Sequence, residues 1–238
     1  MSCKLIDLSQ ELFTGAPVWP GHPKTRVDVV ATHDETRKSG KFTDNYSYTA
    51  EKIELSTHGT THVDSISHID PDPNALTIDK IPLEWFYTGA ICLDLSHIPP
   101  RTYYTIDMIK ESLIKDSLEI KDGDTVLLYS GHYGRTWGTP AWLTDYSGLS
   151  REAAEYIYGL GAINIGQDAP SHDCSQTTGY PAHQVCREMQ KLNIENLGNL
   201  EPVAGKRFRF IGFPLKIRNG SGSPIRAVAV LGEDEEGY

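Results

Sequence analysis

Four cysteines occur in 238 residues, and Cys3, Cys92, Cys174 and Cys186 show no close paired spacing. The chain therefore reads as having neither a disulfide framework nor a thiolate metal site, and reduced thiols in a cytosolic protein are expected. Cys92 and Cys186 lie in apolar patterns and read as small core residues. Positive charge is also scarce, with 22 Lys and Arg against 32 Asp and Glu, a net charge of −10. No basic patch is interleaved with aromatics, so nucleic acid is not expected as a partner. Part of the negative excess sits in Glu233-Asp234-Glu235-Glu236, read as a solvated end. Apolar runs fall short of the roughly 20 residues a membrane span needs. The N-terminus lacks the basic-then-apolar signature of a signal peptide. No internal repeat or low-complexity linker divides the chain, and 39% hydrophobic residues suffice for a sizeable core. These absences predict a single domain over 1–238, cytoplasmic, with neither membrane nor nucleic acid as partner.

What is present concentrates in residues 58–68, His58-Gly59-Thr60-Thr61-His62-Val63-Asp64-Ser65-Ile66-Ser67-His68. Three of the nine histidines and an Asp fall in this stretch. Imidazole and carboxylate together suit Zn, Mn or Fe, whereas thiolates would indicate structural Zn or an iron–sulfur cluster. Gly59, Thr60 and Thr61 let the backbone bend tightly, so several side chains can converge. His58 and His62 are four apart, which fits one helical face, but Gly-Thr-Thr is a poor helix interior. A turn or short distorted helical piece is expected. A polar loop whose histidines merely satisfy backbone groups is the plainer alternative, and the density of histidines disfavours it.

Around this stretch the pattern alternates between strands and helices. Strands are expected at 5–9, 26–32, 46–55, 89–95, 125–129 and 162–165, then at 208–213, 215–217 and 225–231. Residues 33–45 read as an exposed loop, and 77–86 as a short helix. Thr105 caps a helix to about 116, Ser150 caps another, and Pro181 suits the first turn of a third, which carries His183. The segment 130–148, with His132, Trp137 and Trp142, is long for a connection, and such loops are often functional. His132 itself reads as a hydrogen-bonded loop residue. The polar loop Gly166 to Asp173 follows a strand end, where α/β proteins place ligands. Residues 219–224 read as a loop joining the last strands. The whole predicts an α/β single domain with a mixed, strongly curved β-sheet flanked by helices.

The spacing His58-x3-His62-x-Asp64-x3-His68, with Gly59-Thr60 inside it, resembles the metal-dependent hydrolases called the cyclase family. That family contains bacterial kynurenine formamidases, isatin hydrolases and some dienelactone hydrolases. Asp7-Leu8-Ser9 and Pro17-Val18-Trp19-Pro20-Gly21 are similar to its N-terminal segment. Gly166 to Asp173 is similar to its Gly-x-Asp-x-Pro-Ser-x-Asp loop. His183 followed by Glu195-Asn196-Leu197, and Ser223-Pro224-Ile225-Arg226-Ala227, resemble its later signatures. Two departures border the expected pocket. Ser65-Ile66 stands where many formamidases have Ala-Pro, and 130–148 is unlike the usual Thr-Gly version.

The resemblance implies that His58, His62 and Asp64 bind one divalent ion, Zn or Mn. It implies that Asp64, His183 and Glu195 hold a second where two are bound. Two such cations can share a water, lower its pKa and stabilise an oxyanion. His68 is the candidate general base or acid, with a third metal ligand or a ligand-orienting residue as its alternative. Trp19 and Ser223 are expected to contact a small-molecule substrate, and Asp168 and Asp173 to orient loops or ligands. The activity implied is hydrolysis of an aryl formamide, such as N-formylkynurenine to kynurenine plus formate. Opening of a cyclic amide or lactone is the alternative chemistry, and a catalytically silent metal-binding scaffold the alternative class. Family resemblance further implies a homodimer or homotetramer.

Overall fold

The computed structural model describes residues 3–43 and 45–232; the acidic run 233–236 lies outside them. Its frame is a nine-stranded sheet, built from β1 (Lys4–Asp7), β4 (His62–Asp64), β5 (Tyr87–Asp94), β7 (Thr125–Tyr129), β9 (Asn164–Gln167), β10 (Leu192–Glu195), β11 (Arg207–Ile211), β12 (Gly222–Pro224) and β13 (Val228–Leu231). The order is β1-β13-β11-β5-β7-β9-β10-β4-β12. The four central strands β5, β7, β9 and β10 run parallel, and antiparallel pairs extend the sheet on both sides. The sheet is mixed and strongly curved into a half-barrel, flanked by helices, in one α/β domain. Two separate pairs complete the strands: β2 (Arg26–Ala31) with β3 (Ala50–Glu54), and β6 (Tyr103–Tyr104) with β8 (Gly148–Leu149).

Strand alternation divides the core in two. Ala90 and Cys92 of β5 and Leu127 of β7 face an inner cluster with Phe86, Phe208 and Phe210. Ile91, Leu93, Val126 and Leu128 face the opposite way. There they meet α2 (Ile106–Lys115), α4 (Arg151–Gly159) and α5 (Pro181–Met189) through Ile109, Ile157 and Val185. Thr105 and Ser150 cap α2 and α4 through their side chains, as their positions predict. Cys92 and Cys186 are fully buried, and the four thiols are free. No helix among the described residues is long and apolar enough to cross a membrane.

Several local expectations are corrected. Residues 33–45 are not all loop, because α1 (His33–Lys38) starts on a reciprocal capping box between Thr32 and Glu35. In 77–86 only a 3-10 turn, Leu83–Phe86, forms. The 130–148 segment carries α3 (His132–Thr136) and a 3-10 turn, Pro140–Leu143. No strand forms at 215–217, where the Leu215 amide donates to Ser223 Oγ rather than to a ladder. Conversely, part of the expected 219–224 loop is the edge strand β12.

His132 gives the 130–148 segment a testable property. It is fully buried, its Nε2 lies 2.9 Å from the Trp142 carbonyl oxygen, and its ring stacks on Trp142 at 5.1 Å. Burial pushes its pKa from 6.5 down to about 4. A histidine held neutral in the fold contributes stability present above its unfolded pKa and lost as pH falls through the folded one. Stability should therefore fall from about pH 6.5 to about pH 4, by roughly 3 kcal/mol from this residue at 1.36 kcal/mol per unit. Urea unfolding across that range should show His132→Gln with a flatter pH dependence than the parent chain. Equal slopes would remove His132 as the cause.

Candidate metal centre

Two short strands set the centre. In β4 the side chain of Val63 enters the inner core, so His62 and Asp64 point to the other face. In β10 Leu192 and Ile194 do the same, and Asn193 and Glu195 point with them. The antiparallel register places Glu195 opposite His62. Across it, Asn193 donates to Asp64 Oδ2 at 2.9 Å and to Glu195 Oε1 at 3.3 Å. The preceding turn, with Thr60 in the left-handed region at φ 58°, brings His58 back so that Nδ1 lies 2.6 Å from Asp64 Oδ1. His58 Nε2 meets Ser221 Oγ at 2.8 Å. Gly222 keeps room for that ring: a Cβ there would fall 2.6 Å from His58 Cε1. His68 ends the 3-10 turn Ile66–His68 and stacks on His58 at 3.9 Å. From the first turn of α5, His183 Nε2 reaches 3.3 Å from Glu195 Oε1 and 3.8 Å from Asp64 Oδ2.

The donor set fits a cation. His62 Nδ1 lies 2.8 Å from the Thr60 carbonyl oxygen, which only an N–H can satisfy, so the proton is assigned there. Its Nε2 is then a lone pair, buried and without a hydrogen-bond partner. That atom lies 3.3 Å from Asp64 Oδ1 and 3.5 Å from Glu195 Oε2. His183 repeats the arrangement, with Nδ1 held by Asp173 Oδ2 at 2.5 Å and Nε2 turned toward the same carboxylates. An imidazole anchored through one nitrogen so that the other presents a lone pair is how metal-bound histidines are oriented. Lone pairs facing lone pairs in a buried place are costly unless a positive charge lies between them.

The electrostatics mark the same place as one that favours positive charge, carried by an imidazolium or by an ion, since His62 and His183 are both raised. Burial alone would raise the Asp64 carboxyl, but His183, His58 and His62 around it hold it well below the usual range. Burial likewise raises Glu195, and His172 and His183 outweigh it and bring it to about 2. Burial lowers His183, yet Asp173, Asp64 and Glu195 lift it well above its ordinary value. His68 differs: burial dominates and lowers it.

Among the described residues, three groups have ligand atoms within 4.8 Å of one another: His62, Asp64 and Glu195; His58, Asp64 and His68; and His172, Asp173 and His183. Asp64 is shared by the first two, which fits a divalent metal at either. These groupings differ from the two sets implied by resemblance, since His58 groups with His68 rather than with His62. His68 Nε2 lies 3.9 Å from Asp64 Oδ2, a position compatible with a ligand or with a base beside one. Trp19 lines the cleft. Ser223 does not: it pairs with Val63 in the register, so its side chain goes to the face opposite His62 and Asp64. It is fully buried, and its hydroxyl accepts from the Leu215 amide and donates to the Pro224 carbonyl, each at 2.8 Å. Asp168 accepts from the amide and hydroxyl of Ser130 and so fixes a loop.

Sequence reading did not single out Asn193 or His172. His172 is fully buried, with Nδ1 3.6 Å from Glu195 Oε1 and Nε2 3.5 Å from Cys186 Sγ. Its place beside Asp173 in the polar loop was the available signal.

Above the carboxylates opens a cleft of about 350 Å³. Trp19, Trp142, Leu143 and Ile69 give it apolar and aromatic walls, and His58, His68, His183 and Glu195 lie at its polar end. Tyr180, at φ 49°, is held in the left-handed region on its rim.

The family model described as "Putative cyclase" matches residues 6–174. Over 230 residues the chain is 27% identical to a kynurenine formamidase of Salinibacter ruber, covering 94% of this chain and 96% of that protein. It is 28% identical over 228 residues to a kynurenine formamidase of Bacillus cereus, covering 94% and 95%. Among solved structures, an isatin hydrolase bound to the product analogue thioisatinate superposes with a TM-score of 0.85 at 24% identity, covering 97% of this chain and 93% of that one. With a family match across most of its length, the chain belongs to the cyclase family.

Proposed function

We propose that the protein is a metal-dependent hydrolase of an amide or lactam C–N bond, with an aryl formamide such as N-formylkynurenine as its substrate. The observation that carries this is the set of lone pairs from His62, His183, Asp64 and Glu195, converging at the polar end of an aromatic-walled cleft. The formamidase relatives, similar over nearly their whole length, supply the choice of substrate. A divalent cation held there supplies a lower pKa for a water and Lewis-acid stabilisation of negative charge on the substrate oxygen.

The chain's own groups do the rest. Asp64 and Glu195 stay ionised, since their pKa values are lowered. Asp173 and the Thr60 carbonyl fix the tautomers of His183 and His62. His68, 29% exposed toward the cleft, is placed to take a proton from the attacking water. It then returns that proton to the departing nitrogen. Trp19 and Trp142 line the wall against which a planar aryl group packs. A silent scaffold would have no use for a proton-transfer group beside the carboxylates.

The direct test is a hydrolysis screen on N-formylkynurenine, isatin and simple lactones, with metal measured in the same sample. Turnover of the formamide above the others supports the reading. Preference for isatin or a lactone would move the substrate to a cyclic amide or ester, and absence of turnover at full metal loading would remove the hydrolase.

A further inference from the structure

Among the described residues that line the cleft, Arg187 is the one Lys or Arg. It stands one turn beyond His183 on α5, at the i+4 position, so both side chains share a face of the helix. That face places a guanidinium a single turn from the groups at the polar end. Arg187 is half-exposed, and among the described residues its guanidinium makes no hydrogen bond. Its one ion pair is a loose 3.9 Å approach to Glu188, a carboxylate already gripped by Arg151. Five N–H donors at a cleft wall are thus available to a ligand. Next to it, Gln184 also lines the cleft, but its amide nitrogen is spent on the Gly179 carbonyl at 2.6 Å.

From this geometry we infer that the cleft takes a substrate with a planar aryl amide at one end and a carboxylate at the other, the carboxylate being bound by Arg187. The inference rests on the proposed function and narrows it. Trp19 and Trp142 receive the ring, the scissile bond lies toward His68 and His183, and the anionic tail points along α5. A guanidinium fork matches a carboxylate with two parallel hydrogen bonds and rejects an uncharged analogue only by lacking them. Neutral cyclic amides have no group for it, so Arg187 works as a specificity residue.

Binding separates this inference from the hydrolase reading, because it needs no turnover. The probes are L-kynurenine, which carries the carboxylate, and 2-aminoacetophenone, which keeps the aryl ketone without it. Calorimetric titration of the metal-loaded protein and of Arg187→Met should show kynurenine binding weakened by about 10–100-fold, the range for a hydrogen bond to a charged group. The affinity for 2-aminoacetophenone should change by less than about twofold. Arg187→Lys should recover part of the loss, since the charge returns without the fork. Equal loss for both probes, no loss for kynurenine, or failure of the parent protein to prefer kynurenine would each overturn the assignment. Selective loss without formamide turnover would uphold the carboxylate site while sinking the hydrolase.

Discussion

Asp64→Asn should leave the purified protein with little of its divalent metal and almost no activity. Asp64 is 1% exposed and lies near four imidazoles. His58 Nδ1 is 2.6 Å from Oδ1, His62 Nε2 3.3 Å from Oδ1, His183 Nε2 3.8 Å and His68 Nε2 3.9 Å from Oδ2. It belongs to two of the three candidate ligand groups, so its charge serves both. The amide keeps the shape and the acceptor oxygen but removes the negative charge and adds a donor facing histidine. Losing a residue that merely orients a ligand costs roughly 10–100-fold in affinity, and losing the shared ligand should exceed that. Elemental analysis beside steady-state rates is the check. Full metal occupancy in the variant would exclude Asp64 as a ligand.

His68→Ala should have a different signature. His68 is the most exposed of the histidines near Asp64, its ring packs on His58, and burial lowers its pKa so that it is neutral at pH 7. A group placed to move a proton should lower kcat by roughly 10²–10⁴ when removed, with the metal retained. A ligand would instead lose metal and activity together, and excess ion would restore the rate. Measuring metal content and kcat on one sample therefore decides between base and ligand. Rescue by added metal would reassign His68 to the ligand group it forms with His58 and Asp64.

The parts of this centre that were legible in sequence are the local ones. The clustering of His58, His62, Asp64 and His68 was visible in the sequence, although the stretch expected to be a turn or distorted helical piece includes the strand β4 at His62–Asp64. Pro181 marks the start of α5, and His183 sits in its first turn. The remaining parts depend on register between distant segments. Glu195 lies opposite His62 only because β10 pairs with β4, and neither strand was expected from its own pattern, being four and three residues long. Ser223 shows the same dependence in reverse, since its register opposite Val63 turns it to the core. His172 approaches Glu195 from a loop whose path no spacing encodes. The overall α/β alternation was readable because β5 and β7 are continuous apolar runs and α2 and α4 carry their own caps. The capping box at Thr32 and Glu35 was equally local and went unread beside Lys38-Ser39-Gly40-Lys41.

On the proposed reading, His62, His183, Asp64 and Glu195 form a cation site on which hydrolysis depends. Stripping the protein with a chelator and titrating it with Mn²⁺ or Zn²⁺, while following bound ion and N-formylkynurenine turnover together, tests it most directly. Saturation is expected at roughly one to two ions per chain, with turnover absent at the start and rising in step with occupancy, as an open imidazole–carboxylate site demands. Turnover that survives chelation at full rate, or ion binding no tighter than in Asp64→Asn, would contradict it.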